Sequence, residues 1–349
     1  MVRFWISGLM LLTLSRNIMC VKSEQNGIYP RRPSVLCAFN LPTDRREVIA
    51  KTVASIVAGV SSLSVPAPAE ANVAMAAVSQ KYPFVAYGIK ADSSPALNPT
   101  LKSVPSDRFV KDIVATIGSK GGAVWLGEHH NSANDHSFQA DFIEKSFEQR
   151  RKTFSGNAPP MAIGLEQVQV KYQPVLDDFI MGKISEETMR KEVEWEKRWS
   201  WPFEAYRPVF SKAKELGIQL VALNVNYEDL VEVEKAGLPG LAPDRLKAYI
   251  KDPRGFAEFA GPLSFKTYVD YVISPSYDMH QAMGILNYSV SGEKLENEMS
   301  FRNFFSGRVL WDEAMASAAE TWTSANPGGL LVGLVGADHV KFSKGIPGR

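Results

Sequence analysis

Three of the five histidines in this 349-residue chain fall within GAVWLGEHHNSANDH, residues 122–136. His130 and His136 stand six apart with Asn131 and Asn134 between them, so a loop rather than one helical face must bring them together. His339 follows the apolar run LLVGLVG near the C-terminus. Three imidazoles with Glu128 or Glu166 are ligand types that hold a borderline divalent ion and leave a position for water. The same residue types suit general acid–base work, in which a histidine or carboxylate takes a proton from water. The spacing is not the helical H-E-x-x-H pattern, so the loop taken alone also reads as an ordinary set of capping and turn residues.

Four short apolar segments must position these groups: AVWLG (123–127), MAIGL (161–165), QLVALNV (219–225) and LLVGLVG (330–336). None alternates, as expected of strands covered on both faces in a parallel sheet. Charged segments of helical periodicity lie between them at 137–154, 184–199 and 203–217, the last ending on Gly217 as a C′ stop. The pattern predicts an α/β fold: a parallel-sheet core flanked by helices. A helical subdomain at about residues 226–328 is inserted before the last core strand.

Each strand then ends in polar groups. The first runs into Glu128, His129 and His130, the second into Glu166 and Gln167, the third into Asn224 and Asn226, and the fourth into Asp338 and His339. Ligands of α/β sheets bind outside the carboxyl ends of the strands, so four such endings outweigh the bland reading of the loop. Glu128, Glu166 and His130 are the catalytic candidates, and His130, His136, His339 and Glu166 the metal-ligand candidates. His129 is the spare histidine of the pair.

Other residues carry weaker signals. His280, on a predicted helix beside Tyr277, reads as an axial haem ligand or as a pocket wall. Trp195 and Trp199 share a helix face with Trp201 nearby, forming a flat apolar wall or simply core. Arg308 and Asp312 are four apart and most simply form an intrahelical ion pair. No G-x-G-x-x-G, P-loop or G-x-S-x-G elbow occurs, which disfavours nucleotide binding and serine hydrolysis.

Composition is that of an ordinary globular protein, with 45% hydrophobic and 22% charged residues. A formal charge of +1 gives no electrostatic case for nucleic acid. The apolar run at residues 4–14 behind Arg3 has the length of a signal-peptide core and is too short for a comfortable membrane span. Arg45-Arg46, a small-residue run and Ala69-Glu70-Ala71 form a second targeting unit of twin-arginine thylakoid type, with an A-x-A cleavage site. A lipoprotein reading through Cys20, or bacterial-type export, leaves that second unit unexplained. Residues 1–71 therefore read as a bipartite targeting presequence, 72–104 as a linker and 105–349 as the folded domain. Cleavage after Ala71 removes eight Lys/Arg and four Asp/Glu, turning +1 into −3. It also removes Cys20 and Cys37, both cysteines of the chain, so the mature protein has no disulfide and no thiolate nucleophile or ligand. No transmembrane anchor is expected in the mature form.

The ordered series GEHHNSANDH, GLEQVQVKYQPVLDDF, WEKRWSWPFEAYRPVFSKAKELGIQLVALNV, RVLWDEAMA and LVGADHVKFSKGIPGR resembles the ChaN-like haem-binding domain over residues 105–349. That domain shares a superfamily with Tiki proteases and erythromycin esterases. The family pattern maps onto Gly127, Glu128, His130 and His136, onto Gly164 and Glu166, and onto Gly336, His339 and Gly345-Ile346-Pro347. The resemblance implies an α/β core with a helical subdomain. It also implies either binding of haem or another tetrapyrrole, sometimes between two subunits of a homodimer, or metal-assisted hydrolysis. The two Gly-x-x-His motifs, 127–130 and 336–339, are similar to the metal-holding pair of Tiki-type proteases. Tyr271, Tyr277 and His280, with Tyr268 nearby, are the cofactor-binding candidates. The leading expectation is a haem- or iron-handling protein of the thylakoid lumen. A metal-dependent hydrolase, a metal-free His–Glu hydrolase and a non-catalytic lumenal interaction protein are the alternatives.

Overall fold

The computed structural model describes residues 121–349 throughout, and before them only the backbone of Val2–Arg3, Leu9–Leu14, Asn17–Ser23, Phe84–Lys90 and Thr100–Val104. The second targeting unit and its cleavage site lie outside the described residues. The five N-terminal segments pair antiparallel, and Leu11–Leu14 runs antiparallel to Val124–Gly127. The apolar N-terminal run is thus extended over Leu9–Leu14.

Four parallel strands form the core: β1 (Gly122–Glu128), β2 (Met161–Gln169), β3 (Gln219–Asn224) and β4 (Leu330–Gly336). They are the four apolar runs read from the sequence, and β2 and β4 are buried along their whole length. Their order is β1-β4-β2-β3, so the last strand in the chain inserts at the centre. Glu128 consequently lies opposite Gly336, and Leu165 opposite Leu334. This register brings the carboxyl ends of β1, β2 and β4 together, while β3 sits at the outer edge.

Helix α1 (Ala133–Thr153) starts where Ser132 accepts the Asp135 N–H, and ends with Arg150, Arg151 and Lys152 facing the negative end of its dipole. Helix α2 (Gln173–Ile180) follows β2. The continuous helix expected over 184–199 is instead two pieces, α3 (Glu186–Glu192) and α4 (Trp195–Arg198). Glu194 between them is left-handed at φ 53, a conformation that costs about 1–2 kcal/mol for an L-residue. Its carboxylate accepts from Tyr172, Lys197 and Arg198, and these contacts outweigh local helical preference. Helix α4 then ends at Arg198, so Trp199, extended at φ −130, and Trp201 lie beyond the helix that holds Trp195. Helix α5 (Phe203–Leu216) stops at Gly217, φ 63, as its sequence predicts. Phe203, Tyr206 and Phe210 on α5 are fully buried beside Trp195, each such side chain contributing about 1.5–3 kcal/mol.

Beyond β3 come α6 (Tyr227–Ala236), α7 (Pro243–Tyr249), α8 (Pro253–Phe259), α9 (Leu263–Tyr268), a π-helical turn at Val269–Ile273, α10 (Ser274–Ala282) and α11 (Phe301–Ala325). The one strand-like pairing described in this region is the isolated bridge Tyr288–Lys294. Helix α11, about 37 Å long, belongs to both parts of the molecule. Met315, Ala319 and Trp322 enter the sheet core, while Leu310 and Ala314 pack with α6 and α7. Among the described residues no helix is long and apolar enough to cross a membrane.

Candidate functional site

Strand β1 ends by burying a carboxylate. Glu128 is 2% exposed, and its oxygens accept from Tyr206 Oη at 2.8 Å, Gln167 Nε2 at 3.1 Å and Gln139 Nε2 at 2.6 Å. His130 Nδ1 lies 3.0 Å from Glu128 Oε1, and His136 Nε2 lies 3.6 Å from the same oxygen. Burial alone would raise the pKa of Glu128; the neighbouring His136 and His130 outweigh it and hold the acid well below the carboxylate range. A carboxylate so fully engaged orients its partners and has little capacity to accept a substrate proton. Glu128 is therefore placed to orient its neighbours.

His130 is the group it positions. With Nδ1 directed at Glu128, the ring presents Nε2 to Gly336, where an added Cβ would come within 2.9 Å of that nitrogen. A glycine at 336 is what lets the imidazole seat there. Trp199 packs edge-on to the ring at 5.0 Å and Trp201 stacks at 5.8 Å. Burial disfavours the imidazolium, but the Glu128 hydrogen bond and the charges of Glu166 and Glu128 prevail, so its pKa is raised.

A second histidine–carboxylate system faces the first. His339 Nδ1 bonds Asp312 Oδ1 at 2.5 Å, and its Nε2 lies 3.3 Å from Glu166 Oε1. Asp312 directs its other oxygen to the Tyr268 hydroxyl at 2.9 Å. The intrahelical Arg308–Asp312 pair expected from spacing is thus not formed, because both oxygens are committed to tertiary partners. Glu166 Oε2 accepts the Gly336 N–H at 2.5 Å. Burial and Arg308 disfavour a charged His339, yet Glu166 and Asp312 raise its pKa. For Glu166, burial pushes up, but His339, His130 and the Gly336 N–H lower its pKa. His339 thus stands between two carboxylates that favour its charged form.

Both systems reach one cleft. It is lined by His130, Glu166, Trp199, Trp201, His280, Arg308 and Trp311 among others, with a free volume of ≈ 180 Å³. Of the three cofactor candidates only His280 lines it, with Nδ1 2.6 Å from the Ser276 carbonyl. The Tyr277 hydroxyl donates to the Met299 carbonyl, and Tyr271 is 70% exposed beside Phe342. The structure does not bring these three together.

Nor does it assemble the expected metal-ligand set. Among the described residues no group of three or more His, Cys, Asp or Glu is arranged to hold an ion. The reason is partnering: His339 has carboxylates at both nitrogens, and His136 is enclosed behind Glu128, its ring 3.9 Å from that of Tyr206. His129 caps off to the side on Asp135. Asn224 supports the site from β3 by donating to the Glu166 carbonyl at 2.7 Å. Sequence reasoning missed Gln139 and Tyr206 around Glu128 and the role of Asp312, and it named Gln167 only as a strand ending. Gln167 was legible as the neighbour of Glu166, but no local signal marks the others.

These shifts fix a pH dependence. Lowered Glu128 and Glu166 contribute stability that is full above the ordinary value of 4.5 and is lost as pH falls through their folded values. Raised His130 and His339 contribute stability that is full below 6.5 and is lost as pH rises through their folded values. The urea midpoint is expected to peak between these limits. Glu166→Gln should flatten both limbs, since it removes a lowered acid and a cause of each raised histidine. A midpoint still climbing from pH 6.5 to 8 would contradict this coupling.

Residues 118–349 match the family described as Haem-binding uptake, Tiki superfamily, ChaN. The chain belongs to that family. This ChaN-family chain is also 24% identical over 196 residues to the protein RETICULATA-RELATED 5, chloroplastic, of Arabidopsis thaliana. The match covers 54% of this chain and 24% of that protein, so it spans about a quarter of the relative's length. Among solved structures, ChaN of Campylobacter jejuni, in a study of cofacial heme binding, is similar at 15% identity and a TM-score of 0.43. That match covers 70% of this chain and 80% of the other. An erythromycin esterase in its open conformation is similar at 15% identity and a TM-score of 0.34, covering 70% and 72%.

Proposed function

We propose that this ChaN-family protein is a hydrolase in which His130, oriented by Glu128, activates a water against a carboxylic ester held in the cleft. The observation that carries the reading is the pairing of His130 Nδ1 with buried Glu128 while Nε2 sits over Gly336 at the cleft. That tautomer makes Nε2 the basic nitrogen. It takes a proton from water as the hydroxide oxygen adds to the ester carbonyl carbon. It then returns the proton to the alkoxide as the carbon–oxygen ester bond breaks. His339, held between Asp312 and Glu166, fixes Glu166 at the wall of the cleft. The role needs no resident ion. The test is turnover of a panel of p-nitrophenyl esters by the purified protein. Turnover abolished in His130→Asn supports the reading, and no turnover by the wild type overturns it.

A second reading, haem or tetrapyrrole binding in haem or iron handling, is favoured by the family and by His280 on an aromatic cleft wall. Its Nδ1 contact to the Ser276 carbonyl is the support a ligating histidine commonly has. The free volume of ≈ 180 Å³ is below the range of about 300–1,000 Å³ common for larger ligands, so the cleft as it stands would not enclose a macrocycle. This is why the reading stands second. A haem titration of the same preparation decides it: a Soret shift lost in His280→Ala supports it, and no shift rejects it.

For location we propose the plastid, and within it the thylakoid lumen. The two targeting units read in residues 1–71 support this, as does the relative named as chloroplastic. Immunoblotting of fractionated thylakoids, with protease protection until the membrane is broken, is the expected result.

A further inference from the structure

One cation in the cleft is only partly used by the protein. Arg308 on α11 lines the cleft together with His130 and Glu166. Its Nε and Nη2 are enclosed and have no hydrogen-bond partner within the protein. The neighbouring Tyr268 hydroxyl is committed to Asp312 and to the Asp338 carbonyl. The acids around the guanidinium are engaged elsewhere: Asp312 by His339 and Tyr268, Asp338 by Lys341, Glu166 by Gly336 and His339, and Glu234 by the Val290 N–H.

Buried donors in proteins are nearly always satisfied, and a guanidinium cannot shed its charge to escape the cost. Nε and Nη2 form one edge of the planar fork, the edge that meets two oxygens of a carboxylate or phosphate side by side. Trp199, Trp201, Leu286 and Phe304 give the same cleft apolar walls. A matching ligand has a compact apolar body and an anionic end.

We propose that Arg308 is the receptor for an anionic group, carboxylate or phosphate, on the ligand that enters this cleft. The fork would fix one end of the ligand and so set which bond faces His130. The inference shares its cleft with the proposed hydrolysis but not its chemistry, since an anion can bind where nothing is cleaved.

The test is calorimetric titration of the purified protein with phenylacetate, phenyl phosphate and neutral phenylacetamide. Wild type is expected to bind at least one anion tenfold or more tighter than the amide, the tighter anion naming the class. Arg308→Gln, with its circular dichroism unchanged, should bind all three alike. His130→Asn should keep the anion preference even though it ends any ester turnover, so failure of the two readings can be told apart. The proposal is overturned if wild type binds neither anion, if it binds the amide as tightly, or if a folded Arg308→Gln keeps the preference. The wild-type comparison decides even if that variant does not fold.

Discussion

Glu128→Ala is expected to lower folding stability by about 3–5 kcal/mol, the scale seen when one partner of a buried charged network is removed. The carboxylate is 2% exposed and gathers Tyr206, Gln167, Gln139 and His130 around two oxygens. Its loss strands the hydroxyl and both amide groups away from water, each orphan costing about 1–3 kcal/mol before relaxation. For a domain of this size the melting temperature should fall on the order of 10 °C. Glu128→Gln keeps the volume but places an amide N–H against donors, so it should recover only part of the loss. Calorimetry on the three proteins checks this. A shift under about 1 kcal/mol for the alanine variant would mean that the network is not structural.

His130→Asn is expected to do the opposite, sparing the fold and removing the chemistry. The side chain is 25% exposed at the cleft, and Glu128 keeps its other three donors without it. Stability should change by under about 1 kcal/mol, while kcat/KM for the best p-nitrophenyl ester falls about 10²–10⁴-fold, the usual share of a general base. The sign of the pH profile follows from the raised pKa of His130. Nε2 accepts a proton only when the ring is neutral, so activity should rise with pH through a value above 6.5, where the stability contribution of the same pair declines. An asparagine variant with full activity, or a flat profile from pH 6 to 8, would remove His130 from the base role.

The two outcomes together separate positioning from catalysis. They also distinguish this site from an inert scaffold, on which losing His130 would change no turnover. A binding preference lost at Arg308 but kept in His130→Asn would place ligand recognition and proton transfer on different walls of one cleft.

Residue order alone determined much of this protein. The four apolar runs without alternation became the four parallel strands, because short runs of this kind suit a sheet covered on both faces. Gly217 marked a helix end because its φ of 63 favours glycine. The strand endings at 128–130, 166 and 338–339 pointed to the ligand edge because side chains at strand ends are carried there wherever the sheet runs parallel. What the sequence could not contain was the strand order. Only the insertion of β4 between β1 and β2 sets Gly336 against His130 and brings Asp312 to His339, contacts that span 206 and 27 residues of chain. The same long-range contacts chose between roles that local spacing left open. Asp312 turned from its helical neighbour Arg308 to His339 and Tyr268, Glu194 broke a helix that periodicity favoured, and His136 was enclosed behind Glu128 and away from the cleft. Period and composition act over a few residues, whereas partnering of buried charge is settled only when distant segments meet.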